Sequence, residues 1–130
     1  MRNRIEQRLV NLLTLTVVLS MALVLTGCYN PFTRWPQAVI ALVDDEIPYG
    51  TAPFTLTFDI SGSYDPDGEI VSFTFDFGDD SEAINGTDIT QPIEHTYEEP
   101  GSYFAKLTVR DNGGAQGSVM LAIQVSPPAD

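Results

Sequence analysis

The chain has 130 residues with 6 Lys+Arg against 18 Asp+Glu, a formal net charge of -12. That length fits one modest domain, and the acidic balance argues against a nucleic-acid ligand, which needs clustered Lys and Arg. A single cysteine excludes an internal disulfide.

The N-terminus reads as an export signal. "MRNRIEQR" is basic, residues 9–25 are apolar, and "LTGC" ends the segment at Cys28. The apolar run is at the short limit for a membrane span, and a span leaves Cys28 unexplained. "LTGC" resembles the lipobox of bacterial lipoproteins. The resemblance implies cleavage after Gly27, lipidation of the Cys28 thiol, and attachment to the cell membrane or outer membrane with the domain on the extracytoplasmic side. Several acyl chains make such an attachment stable where one binds only marginally. Loss of residues 1–27 removes three Arg and one Glu, leaving a net charge of -14 with Arg34, Lys106 and Arg110 as the remaining basic residues.

Residues 28–36 read as a short tether because of Pro31 and Pro36 and the lack of periodicity. Its eight residues after Cys28 reach at most ~29 Å, and Trp35 is expected to pack beneath the domain. From there to residue 126 the text is all-β, followed by a tail over 127–130. "AVIALV" (38–43) is a short apolar strand and "DDEIPYGTAP" a loop. "FTLTFDI" (54–60) alternates, with Phe54, Leu56, Phe58 and Ile60 on one face. "IVSFTFDF" (70–77) places Val71, Phe73, Phe75 and Phe77 together. Asn85-Gly86 reads as a hairpin turn before a weaker strand ending at Tyr97. "SYFAKLTVRD" (102–111) turns Tyr103, Ala105, Leu107 and Val109 inward, and residues 116–125 form the last strand. About seven short strands separated by turn signals indicate a β-sandwich.

The aspartates of "SGSYDPDGEIVSFTFDFGDD" (61–80) punctuate these strands. Asp59, Ser61, Ser63, Asp65, Asp76 and Asp79 are short side chains of the kind that bond backbone N–H groups in turns. Gly62, Gly68 and Gly78 suit close approach or positive φ. Four ordered segments, at Phe58–Gly68, Phe75–Asp80, His95–Tyr103 and Val109–Gly114, resemble the PKD domain. The likeness covers roughly residues 37–126 and implies an immunoglobulin-like β-sandwich. Phe75 stands where the family has Trp, and Asp80 where it has Gly. The resemblance makes His95, Tyr97 and Gly101 structural, and the spacing of Tyr103 after Pro100-Gly101 is that of a tyrosine corner.

Catalysis has little to build on. The one histidine falls in a strand, no G-x-S-x-G elbow occurs, and glycosidase-type carboxylate pairs need a cleft. The expectation is no enzyme and no required cofactor. Some PKD-like domains hold Ca²⁺. Carried over by position, the resemblance gives Asp65, Asp67 and Asp111 as ligands, with Gln37 as the only polar side chain from the domain start. The functional expectation is a lipid-anchored, non-catalytic protein-binding or structural module at the cell envelope. The alternative is a polysaccharide-binding accessory using Tyr49, Tyr64 or Tyr97 as stacking surfaces.

Overall fold

The computed structural model describes residues 34–130; the leader, Cys28 and the start of the tether lie outside the described residues. A compact unit spans Arg34–Asp130. Its strands are β1 (Ala41–Leu42), β2 (Tyr49–Thr51), β3 (Phe54–Asp59), β4 (Ile70–Asp76), β5 (Ile84–Gly86), β6 (Ile93–Tyr97), β7 (Gly101–Asp111) and β8 (Gln116–Ser126), with a 3₁₀ turn at Val43–Asp45. They form two sheets, β1-β3-β6 and β2-β8-β7-β4-β5. This is an immunoglobulin-like β-sandwich.

Alternation builds the core. Leu56 and Phe58 of β3, Phe73 and Phe75 of β4, Tyr97 of β6, Leu107 and Val109 of β7 and Ile123 of β8 are all buried between the sheets. Phe75 is fully buried, its ring 4.9 Å from that of Phe58 and 5.2 Å from that of Phe77. Each buried Phe contributes roughly 1.5–3 kcal/mol of transfer free energy. β7 and β8 pair over their whole length, from Gly101↔Val125 to Arg110↔Gln116. They form the long central ladder of the larger sheet.

The structure corrects several strand expectations. Val71 does not face the core. The β4–β7 register steps from Ile70↔Asp111 to Ser72↔Arg110, so Val71 is the extra residue of a bulge and is 41% exposed. Asn85-Gly86 is not a turn but lies in β5, where Asn85 pairs with Thr74 and Gly86 with Phe73. A Cβ on Gly86 would stand 2.7 Å from the Phe73 ring, so glycine lets the aromatic lie across the strand. The stretch read as a loop contains β2, which pairs in parallel with β8; a three-residue strand carries no periodicity to detect. The strand expected over 38–43 shortens to β1 and passes into the 3₁₀ turn.

The end of the expected tether is held against the sandwich. Pro36 is buried, the Arg34 amide donates to Asp67 Oδ2 at 3.0 Å, and Gln37 bridges Tyr64. Trp35 does not pack beneath the domain: it is 67% exposed.

Candidate functional site: the outward face of the larger sheet

The opening aspartates act as turn caps. Asp59 accepts from the Ser61 amide, Asp65 from Asp67, Asp76 from Gly78, Asp79 from Ser81, Asp88 from Thr90 and Asp111 from Gly113. Each bond joins residue i to the amide of i+2, the geometry of a side chain imitating a backbone turn. The Ser61 hydroxyl and amide hold the Asp59 carboxyl below its ordinary range, and the Thr90 hydroxyl and amide do the same for Asp88.

Asp79 does more. Its Oδ1 also takes the Ser81 hydroxyl, and its Oδ2 lies 2.7 Å from His95 Nε2. Burial pushes this carboxyl up, but the bonds from Ser81 and His95 outweigh it and leave the group below the usual carboxylate range. The His95 ring stacks on Phe77 with centroids 3.8 Å apart. Tyr97 is fully buried and donates its hydroxyl to the Phe77 carbonyl at 3.1 Å. Burial, with the negative charge of Asp79 next in order, drives its phenol well above the ordinary value. Tyr103 donates to the Glu99 carbonyl at 2.7 Å, stacks on Tyr97, and lies over Gly101. His95, Tyr97 and Tyr103 are thus one structural cluster, and Tyr97 is withdrawn as a sugar-stacking surface.

At the other end of β7, Asp65, Asp67 and Asp111 gather without closing on a point. Desolvation first, then a side-chain hydrogen bond with Asp67 and the charges of Asp67 and Asp111, push the Asp65 carboxyl up, against the Asp67 amide, which pulls it down. Each nonetheless gives an oxygen to a backbone amide: Asp65 to Asp67, Asp67 to Arg34, and Asp111 Oδ1 to both Gly113 and Ala115 at 2.8 Å. Among the described residues no group of three His, Cys, Asp or Glu side chains is placed to hold a metal. As arranged, Asp65 and Asp111 close turns, while Asp67 holds the amide of Arg34 at the start of the described chain.

The surface that stands out is the outward face of the β2-β8-β7-β4-β5 sheet. The β7–β8 register sets Ser102 opposite Gln124, Phe104 opposite Ala122, Lys106 opposite Met120 and Thr108 opposite Ser118. Tyr49 of β2 lies beside Gln124. Tyr49, Phe104 and Met120 are 61%, 60% and 64% exposed. Pro48, Tyr49, Phe104, Ala122, Ile123 and Gln124 line an open groove of about 380 Å³ at this end. Gln124 is oriented by the Ser102 hydroxyl, which donates to its Oε1 at 2.6 Å, and by its own amide, which donates to the Gly101 carbonyl. Of these three, only Tyr49 stands among the residues expected from the sequence; Phe104 and Met120 do not. The parity of "SYFAKLTVR" held the signal, because every second residue after Ser102 must face away from the core. Tyr64 is exposed but lies near Gln37, at the end of the sandwich opposite Tyr49, so the two do not share a platform.

The PKD domain family matches residues 35–125. A microbial collagenase of Vibrio alginolyticus is 30% identical over 102 residues, which is 75% of this chain and 12% of the collagenase. The chain therefore spans only a small part of that relative's length. Among solved structures, one described as giving the structural basis for promiscuous specificity of carbohydrate-binding modules from the β-sandwich superfamily is 32% identical with a TM-score of 0.61, covering 76% of this chain and 37% of that one. The PKD1 domain of Vibrio anguillarum Epp is 27% identical with a TM-score of 0.56, covering 74% of this chain and 99% of that domain. The match over nearly the whole described unit, on a sandwich whose turn aspartates and tyrosine corner are in place, means that this chain belongs to the PKD domain family.

Proposed function

We propose that this chain is a lipid-anchored, non-catalytic binding module of the cell envelope that meets its partner through the outward face of the larger sheet. The observation that carries the reading is that Tyr49 and Phe104, both largely exposed, together line an open groove on the sandwich. Exposed apolar surface on a stable scaffold marks interaction sites, and aromatic rings supply contact area at low entropic cost. The one histidine is spent on Asp79 and Phe77, which supports a non-catalytic role.

The anchor rests on "LTGC" after a basic and apolar leader. The groove favours a polysaccharide over a protein as the partner. It is open, counts Tyr49, Tyr103 and Phe104 among its lining side chains, and includes the oriented amide of Gln124. The likeness to a structure described in terms of carbohydrate-binding modules supports the same reading. Two measurements test it. Metabolic labelling with a fatty acid should mark the wild-type chain and not Cys28→Ser; label persisting on the variant refutes the anchor. Photo-crosslinkers placed at Phe104 and, separately, at Thr57 on the opposite sheet should capture envelope material at Phe104 alone; capture at Thr57 alone refutes the assigned face.

A further inference from the structure

The two faces of the sandwich differ in charge. Outward on β3 and β6 are Thr55, Thr57, Asp59, Glu94 and Thr96, with Glu46 lying over the sheet and accepting from the Thr57 amide at 2.8 Å. That face has three carboxylates and no Lys or Arg. The outward face of the larger sheet differs in carrying Lys and Arg beside its one strand carboxylate, Asp76. Of the three basic residues after the leader, both that lie in strands, Lys106 and Arg110, point outward from β7, on the same row as Phe104. The acidic residue nearest in register is Asp76, opposite Lys106 on β4, and its Oδ1 is taken by the Gly78 amide. Within 4.0 Å, the one ion pair among the described residues is His95 with Asp79, so neither Lys106 nor Arg110 has a carboxylate partner there.

A strand advances about 3.4 Å per residue, so Phe104, Lys106 and Arg110 are spread over roughly 20 Å of one outward row. On a chain of net negative charge, two cations without an ion pair thus stand in line with an aromatic groove, with Asp76 the one carboxylate that the strand pairing sets beside them. Aromatic faces stack on the apolar faces of sugar rings, while Lys and Arg take carboxylate or sulfate groups through charge-assisted bonds. Two cations are too few for a nucleic acid on a domain this acidic.

We propose that the row Phe104–Lys106–Arg110, with Tyr49 at its head, binds a linear acidic polysaccharide, a polymer of uronate or sulfated sugars lying along β7. This rests on the reading of the outward face as the binding surface and adds the ligand's charge class.

The test is affinity electrophoresis of the detergent-solubilised full chain through gels containing polygalacturonate or neutral dextran. EDTA is present throughout, so that no divalent cation bridges acidic protein to acidic polymer. Polygalacturonate should retard the protein and dextran should not, and the retardation should weaken as NaCl rises. Lys106→Gln/Arg110→Gln should weaken binding about tenfold or more, the equivalent of ~1.4 kcal/mol. Phe104→Ala should also weaken it, and Tyr64→Ala should leave it unchanged. Circular dichroism melts establish that each variant folds. Three results overturn the proposal. Retardation by neither polymer removes the ligand class. Equal retardation by both that depends on Phe104 but not on the cations keeps the face and removes the charge class. Salt-sensitive self-association through this face without glycan binding replaces the glycan by a second copy of the chain.

Discussion

His95 Nε2 sits 2.7 Å from Asp79 Oδ2 while its ring lies 3.8 Å above that of Phe77. One side chain thereby ties the loop after β4 to β6, across the two sheets. Asp79's carboxyl is held below its ordinary range, so its contribution is complete above the unfolded value of about pH 4 and drains as pH falls through the lowered value. Asp79→Asn should cost about 1–2 kcal/mol at pH 7. The gap from wild type should narrow and close as the pH falls below the ordinary aspartate range. Urea midpoints measured from pH 7 to pH 2 check this; a constant gap contradicts it.

Phe75 occupies the centre of the sandwich. Phe75→Ala should cost about 3–5 kcal/mol and leave the domain poorly folded, since a domain of this size holds only ~5–15 kcal/mol in all. Phe58 and Phe77 pack closely against its ring, so Phe75→Trp should overpack the site by about 1–3 kcal/mol. Denaturant midpoints of the two variants decide whether the site has room for the family's usual indole.

Asp80 adopts φ 63° and Gly78 φ 79° in the loop after β4. The loop therefore keeps a left-handed residue at position 80, paid for by a non-glycine side chain. Asp80→Gly should stabilise the domain by about 0.5–1 kcal/mol, part of the left-handed penalty for L-residues. Gly78→Ala should destabilise it by more than that. Its Cβ would come within 2.5 Å of the Phe104 carbonyl oxygen, a backbone atom with no freedom to move aside. Melting temperatures of opposite sign for the two variants are the expected result.

Asp111 is buried, and its Oδ1 closes the β7–β8 turn through the amides of Gly113 and Ala115. Asp111→Ala should cost about 1–3 kcal/mol, with Asp111→Asn recovering most of it because the amide oxygen still accepts. Ca²⁺ should raise the melting temperature no more than NaCl at equal ionic strength. A larger, saturable Ca²⁺ response abolished by Asp67→Asn would assign these carboxylates to an ion instead of to turns.

The long alternating strands and the turn bonds of the aspartates were legible in the chain, because both are local. Period-two alternation fixes which side chains of residues 54–60 and 102–111 face inward, and an aspartate two residues before an amide forms its turn without help from the rest of the fold. The four spaced segments carried the family and, with it, the sandwich. Three things waited for the tertiary structure. Val71 turned outward because a bulge arises from the pairing of two strands, which neither strand encodes alone. Asn85-Gly86 became a strand because Gly86 must pass beneath the Phe73 ring. The binding strip, too, is a property of assembly. Tyr49 lies more than fifty residues before Phe104, and only the parallel pairing of β2 with β8 brings it to the head of the row that holds Lys106 and Arg110. Charge composition describes the whole chain as acidic; the fold alone separates that charge into one acidic face and one face where cations stand beside aromatic rings.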